Sequence, residues 1–97
     1  MPPSRRQPGA VGGMARRSLL VVTAYILVQT EVGKAAEVAR EIVGIEGVQQ
    51  AEDVTGPYDV IVRAEARDLD ELGKLVVARV QAVAGTTRTL TCPVVRL

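Results

Sequence analysis

Leu19-Leu20-Val21-Val22-Thr23-Ala24-Tyr25-Ile26-Leu27-Val28 is the stretch on which the fold turns. It carries no charge, is rich in β-branched residues and is apolar at both parities. Leu20, Val22, Ala24 and Ile26 fall on one side; Leu19, Val21, Tyr25 and Leu27 fall on the other. A strand with one wet face alternates, so this one predicts an interior strand covered on both faces. Arg16-Arg17 ahead of it also imitates the charged and apolar regions of a signal peptide. Cleavage there would remove a strand that the rest of the chain needs to close a core. As a membrane span the run is too short, because it stops at Gln29 and a span needs roughly 18 apolar residues.

Downstream, Val32, Ala35, Ala36, Ala39, Ile42 and Val43 recur at helical spacing, with Lys34, Glu37, Arg40 and Glu41 facing outward. Gly44 and Gly47 bracket the end of that helix. Val48–Val54 reads as a polar strand whose Gln49, Gln50, Glu52 and Asp53 suit a sheet edge. Thr55-Gly56-Pro57 turns the chain back. Tyr58, Val60, Val62, Ala64 and Ala66 then form one face of a third strand. Asp68 with Glu71 three residues later is close to a capping box. The helix it opens carries Leu69, Leu72, Val76, Val80 and Val83 on one stripe. After Gly85, Thr87–Val95 supplies a last strand, with Pro93 tolerable at an edge.

The order strand, helix, strand therefore occurs twice. It predicts an α+β, ferredoxin-like βαββαβ domain over residues 19–97, a four-stranded antiparallel sheet with two helices on one face. The helices cover one face only, yet the first strand and Ile61 offer apolar side chains to the other. A second copy stacked on that open face would cover it, giving a dimer resembling an α/β barrel.

Residues 1–18 are different. They hold Arg5, Arg6, Arg16 and Arg17, no acid, and three of the five prolines, which predicts a disordered basic tail. From Leu19 onward eight Lys or Arg face eleven Asp or Glu, so the body is acidic and ill suited to bind phosphates. The chain has no His, Trp, Phe or Asn, which removes imidazole catalysis, most zinc and iron sites, and stacked aromatic platforms. Cys92 is the single cysteine and forms neither an internal disulfide nor a CxxC clip. No metal or other cofactor is expected, and the chain reads as cytoplasmic and non-enzymatic.

Ferredoxin-like domains serve many ends, and most need residues that are missing. A metallochaperone needs CxxC after the first strand, where this chain has Gln29-Thr30-Glu31-Val32-Gly33. An acylphosphatase-type enzyme needs an Asn. Two positive signals remain. One is Val54-Thr55-Gly56-Pro57-Tyr58-Asp59, where glycine lets backbone approach a ligand and Asp59 can hold an ammonium group. Turn chemistry, with Asp59 bracing the loop, explains the same residues. The other is Gly85-Thr86-Thr87-Arg88-Thr89-Leu90-Thr91, with a row of hydroxyls on one face of a strand. Threonine's fitness for half-exposed strands explains these equally well.

Together the two motifs resemble the effector-binding domain of the Lrp/AsnC family of transcriptional regulators. The family turn V-T-G-x-Y-D is matched at Val54, Thr55, Gly56, Tyr58 and Asp59. Its last-strand G-V-x-x-T-x-T is matched at Gly85, Thr89 and Thr91, with Thr86 in place of Val. The resemblance spans residues 20–97. It implies dimers formed through the open sheet faces, assembled into a ring, with an amino acid or similar effector between dimers. Gly56, Tyr58, Asp59, Thr89 and Thr91 are the candidate effector-binding residues. In that assignment the Gly56 backbone meets a carboxylate, Asp59 the ammonium, and the threonines the remaining polar groups. Family regulators carry a helix-turn-helix ahead of this domain, and eighteen Pro-, Gly- and Arg-rich residues cannot make one. A stand-alone form is expected, with no specific DNA binding of its own and no membrane partner. The alternatives are a small dimeric α/β-barrel enzyme of monooxygenase or isomerase type, or an adaptor pairing with full-length regulators.

Overall fold

The computed structural model describes residues 21–95, and the predicted tail at 1–18 lies outside them. Strand β1 (Val22–Thr30) leads to helix α1 (Ala35–Val43), strand β2 (Val48–Asp53) and strand β3 (Val60–Ala66). Helix α2 (residues 69–81) and strand β4 (Thr86–Pro93) follow. The strands pair antiparallel in the order β2-β3-β1-β4, so β1 is interior and β2 and β4 are edges, as the patterning predicts. This is the four-stranded α+β, ferredoxin-like arrangement.

Period-2 geometry puts Ala24, Ile26 and Val28 of β1 on the same side as Val60, Val62, Ala64 and Ala66 of β3, all buried. Val38, Ala39 and Ile42 of α1 and Leu72, Val76 and Val80 of α2 complete that core. Helix α1 is phased differently from the predicted stripe. Val32 is 100% exposed in the loop before the helix and Val43 is half exposed, while Val38 points inward. Gly33, at φ +79°, separates Val32 from the helix and resets the phase.

The opposite face of the sheet carries a row running Glu52, Ile61, Leu27, Leu90 across all four strands. The next row is Gln50, Arg63, Tyr25, Cys92. Ile61 at 39% exposure, Tyr25 at 42% and Leu90 at 48% are large apolar groups left in solvent by a single chain.

Helix α2 begins as predicted. The Asp68 carboxylate accepts from the Glu71 N–H at 2.8 Å, and Glu71 reaches back to accept from the Arg67 N–H at 2.7 Å. The Arg67 guanidinium also donates to Glu71 through Nε at 3.1 Å and one terminal nitrogen at 2.9 Å. Between α-helical turns at Leu69–Glu71 and Ala78–Gln81 lies a π-helical stretch, Leu72–Val77, that no sequence pattern announced.

Hydrogen bonds from the Arg67 side chain and backbone hold the Glu71 carboxyl below its ordinary value of 4.5. A carboxyl depressed in the folded state adds stability above its unfolded value and loses it as pH falls through the folded one. Glu71→Gln is therefore expected to lower the melting temperature at neutral pH. The gap between variant and parent closes in acid; melting curves from neutral to acidic pH check this, and an undiminished gap would rule out the charge as its origin.

Candidate functional site

At one end of the sheet, three connections meet the C-terminal end of β1. The β2–β3 turn is closed by the Val54 N–H donating to the Asp59 carbonyl at 2.8 Å, and the Asp59 N–H donates to the Val28 carbonyl at 2.9 Å. The Asp59 side chain then spans to the next strand: its Oδ2 accepts from the Thr30 N–H at 2.8 Å. Gln29 Nε2 donates to the Pro57 carbonyl at 3.1 Å, fastening the other arm of the turn. The α2–β4 connection arrives through the Glu31 N–H, which donates to the Gly85 carbonyl at 2.8 Å. The Thr30 N–H faces β3 by the same alternation as the Val28 carbonyl, which sets it against Asp59, while on the other side of β1 the pairing with β4 slips register between Gln29 and Thr30.

The turn residues Gly56, Tyr58 and Asp59 thus sit together. Gly56 is exposed at φ +156°, a conformation side chains rarely adopt, with nothing within 4 Å of where a Cβ would stand. Tyr58 and Asp59 are half buried. Among the described residues Asp59 Oδ1 has no hydrogen-bond partner, so one carboxylate oxygen braces the turn and the other is left unused there.

Thr89 and Thr91 are placed otherwise. Thr89 lies opposite Val28 and Thr91 opposite Ile26, so both face the helix layer rather than the open face. Thr89 Oγ1 accepts from Gln81 Nε2 on α2 at 2.9 Å. Strand β1 stands between them and β3, and two interstrand spacings make about 10 Å. Within one chain the threonines and Asp59 share an end of the sheet without sharing a contact. The backbone groups of Thr30, Glu31 and Gly85 join Asp59 there instead, and no linear motif signals them, because antiparallel pairing brings them together.

Thr86 occupies the position where the family pattern has Val. Its Oγ1 is buried and has no hydrogen-bond partner among the described residues. Among the described residues no group of three or more His, Cys, Asp or Glu stands close enough to hold a metal ion. No described helix is long and apolar enough to cross a membrane.

The architecture and this end of the sheet define a ferredoxin-like domain whose strand-linking turns offer backbone and carboxylate groups at a β1 terminus. Residues 23–97 match the family model of the Lrp/AsnC ligand binding domain, and the chain belongs to that family. A helix-turn-helix transcriptional regulator of Pyrococcus abyssi is 34% identical over 65 residues, covering 65% of this chain and 43% of that protein. A homocitrate synthase of Sulfolobus acidocaldarius is 43% identical over 54 residues, 56% of this chain and 11% of the enzyme. The matches span half or less of each of these curated relatives. Among solved structures, a Thermus thermophilus protein superposes with a TM-score of 0.72 at 26% identity, covering 78% of this chain and 95% of that one. A Neisseria meningitidis transcriptional regulator solved with L-Met gives 0.71 at 18% identity, covering 96% and 60%; at that identity the likeness is one of fold.

Thr86→Val keeps the shape and removes the unpaired hydroxyl. A buried polar group without a partner costs about 1–3 kcal/mol, so the variant is expected to be more stable by up to that amount. Urea denaturation measures it, and a lowered midpoint would show that the hydroxyl is engaged.

Proposed function

We propose that the domain is a non-enzymatic module that binds an amino-acid-type effector at the Val54–Asp59 turn and self-associates through its open sheet face. The observation that carries the binding site is the divided Asp59 carboxylate. Oδ2 is spent on the Thr30 N–H, which fixes the side chain, and Oδ1 is left to accept from an ammonium group. The exposed Gly56 backbone lies three residues away, where a ligand carboxylate can approach without meeting a side chain. Membership of a ligand-binding-domain family supports the reading, as does a relative of the same fold solved with L-Met. Thr89 and Thr91 enter this site only if a second copy contributes them or the effector reaches over β1.

Self-association rests on Ile61, Leu27 and Leu90 in one row and Tyr25 in the next, an apolar patch on a face that neither helix covers. Dimers associating into a ring, and pairing with full-length regulators, extend the same proposal. The layer between sheet and helices, where a small barrel-type enzyme would hold its substrate, is filled by fully buried Ile26, Ile42, Val62 and Val80. That packing favours the binding module over the enzyme.

A thermal-shift screen with the twenty amino acids identifies the effector, since a ligand of the folded state raises its stability by mass action. Asp59→Asn then separates the two roles of Asp59. The amide oxygen still accepts from Thr30, while the charge is gone. Losing a charge-assisted hydrogen bond costs about 1.5–3 kcal/mol, so affinity is expected to fall tenfold or more with melting temperature and assembly mass unchanged. Unchanged affinity would place the effector elsewhere.

Light scattering is expected to return a multiple of 10.3 kDa at micromolar concentration. Ile61→Asp lowers that mass by placing a charge within the apolar patch. A parent mass near 10.3 kDa would remove the self-association half of the proposal.

A further inference from the structure

The opposite end of the sheet holds a cleft of about 440 Å³, within the range of small-molecule sites. It lies where the α1–β2 loop crosses the end of β3 and meets α2. Its geometry is enforced by Gly47 at φ +98°, where a Cβ would stand 2.9 Å from Val76 Cγ2 and 3.0 Å from the Glu65 carbonyl oxygen. The loop is therefore pressed onto both neighbours, and the Glu65 N–H donates to the Gly47 carbonyl at 2.8 Å. One wall comes from the π-helical stretch, a geometry frequent at functional sites, whose Leu75 and core residue Val76 line the cleft. Leu75 is 47% exposed although it is a large apolar side chain.

The charged lining separates into committed and free groups. Arg67 and Glu71 satisfy each other across the helix N-terminus. Arg79 on α2 and Glu46 on the α1–β2 loop also line the cleft and make no ion pair or hydrogen bond among the described residues. Glu65 meets the loop with its backbone, while its side chain shares the open face of the sheet with Arg63, 4.0 Å away. A simple anion would find Arg79 but face the free carboxylate of Glu46. Acidic groups, in turn, are not clustered closely enough among the described residues to hold a metal ion. A ligand carrying both signs on an apolar body satisfies both the Arg79 guanidinium and the Glu46 carboxylate.

We propose that this cleft is a second small-molecule site, separate from the turn, for a zwitterion of the α-amino-acid class with an apolar side chain. Its carboxylate meets Arg79, its ammonium meets Glu46, and its side chain lies on Leu75 and Val76. The proposal does not depend on the turn binding anything, because the two places lie at opposite ends of the sheet.

Calorimetric titration of the full chain with L-isoleucine tests it. Saturable binding is expected, retained in Asp59→Asn and weakened at least tenfold in Arg79→Gln and in Glu46→Gln. Both cleft positions are exposed, and melting curves confirm that the variants fold. 2-Methylbutylamine, which lacks the carboxylate, and 3-methylpentanoate, which lacks the amine, are each expected to bind at least tenfold more weakly than L-isoleucine. Absence of saturable heat overturns the proposal, and so does affinity unchanged in both cleft variants. Binding lost in Asp59→Asn but kept in Arg79→Gln and Glu46→Gln places the ligand at the turn: the cleft proposal then fails and the turn reading stands.

Discussion

Val28 is the residue through which the rest of the structure is held in register. It is fully buried, paired with Val60 on one side and Thr89 on the other, and its carbonyl accepts the Asp59 N–H. A shift of β1 by one residue would send Ala24, Ile26 and Val28 to the open face and drive Tyr25 and Leu27 into the helix layer. The tie from Asp59 to Val28 and Thr30 opposes that slip from the end of the strand, while the fitted core opposes it from the middle. The turn is thus a register device as well as a candidate binding site. This double duty explains how an exposed, glycine-containing segment can be held in one conformation without packing of its own.

The sequence disclosed those features that depend on neighbours along the chain. The β-branched run announced β1, the polar Gln49, Gln50, Glu52 and Asp53 announced an edge, and Asp68 with Glu71 announced the start of α2. What stayed hidden depends on neighbours in space. Val32 has the right spacing to join α1, but Gly33 at φ +79° breaks the chain's phase, and periodicity alone cannot see a dihedral angle. The π-helical stretch escaped because Leu72, Val76 and Val80 satisfy an ordinary helical stripe. In the candidate site, Gly56, Tyr58 and Asp59 were legible as a turn, yet the partner that orients Asp59 is a backbone N–H on another strand. Thr89 and Thr91 were correctly assigned to one face, and only the sheet order reveals that this face looks toward the helices.

The relatives place similar segments in two settings. One is about two-fifths of a helix-turn-helix regulator and the other about a tenth of a homocitrate synthase. Neither DNA contact nor condensation chemistry is common to both settings, so what a shared segment contributes must be independent of either. The proposed ligand recognition and self-association meet that requirement, because each would use surfaces the domain carries itself: a turn at one end of β1 and an apolar row on its open face.

These two surfaces are mechanically close. Gln29, whose side chain fastens the turn to β1, is paired with Arg88 at the margin of the open face. Thr30, the next residue, sits at the register shift and donates to Asp59. A ligand on Asp59 Oδ1, as proposed, would compete for the same carboxylate that Thr30 uses, and any adjustment would pass through Gln29 to the edge of the face proposed for self-association. In the proposed function, coupling between effector and assembly needs no long relay through the core. It needs only that the brace at Asp59 differ slightly with the ligand present, and a carboxylate shared between a backbone N–H and an ammonium is a group whose geometry responds to such a change.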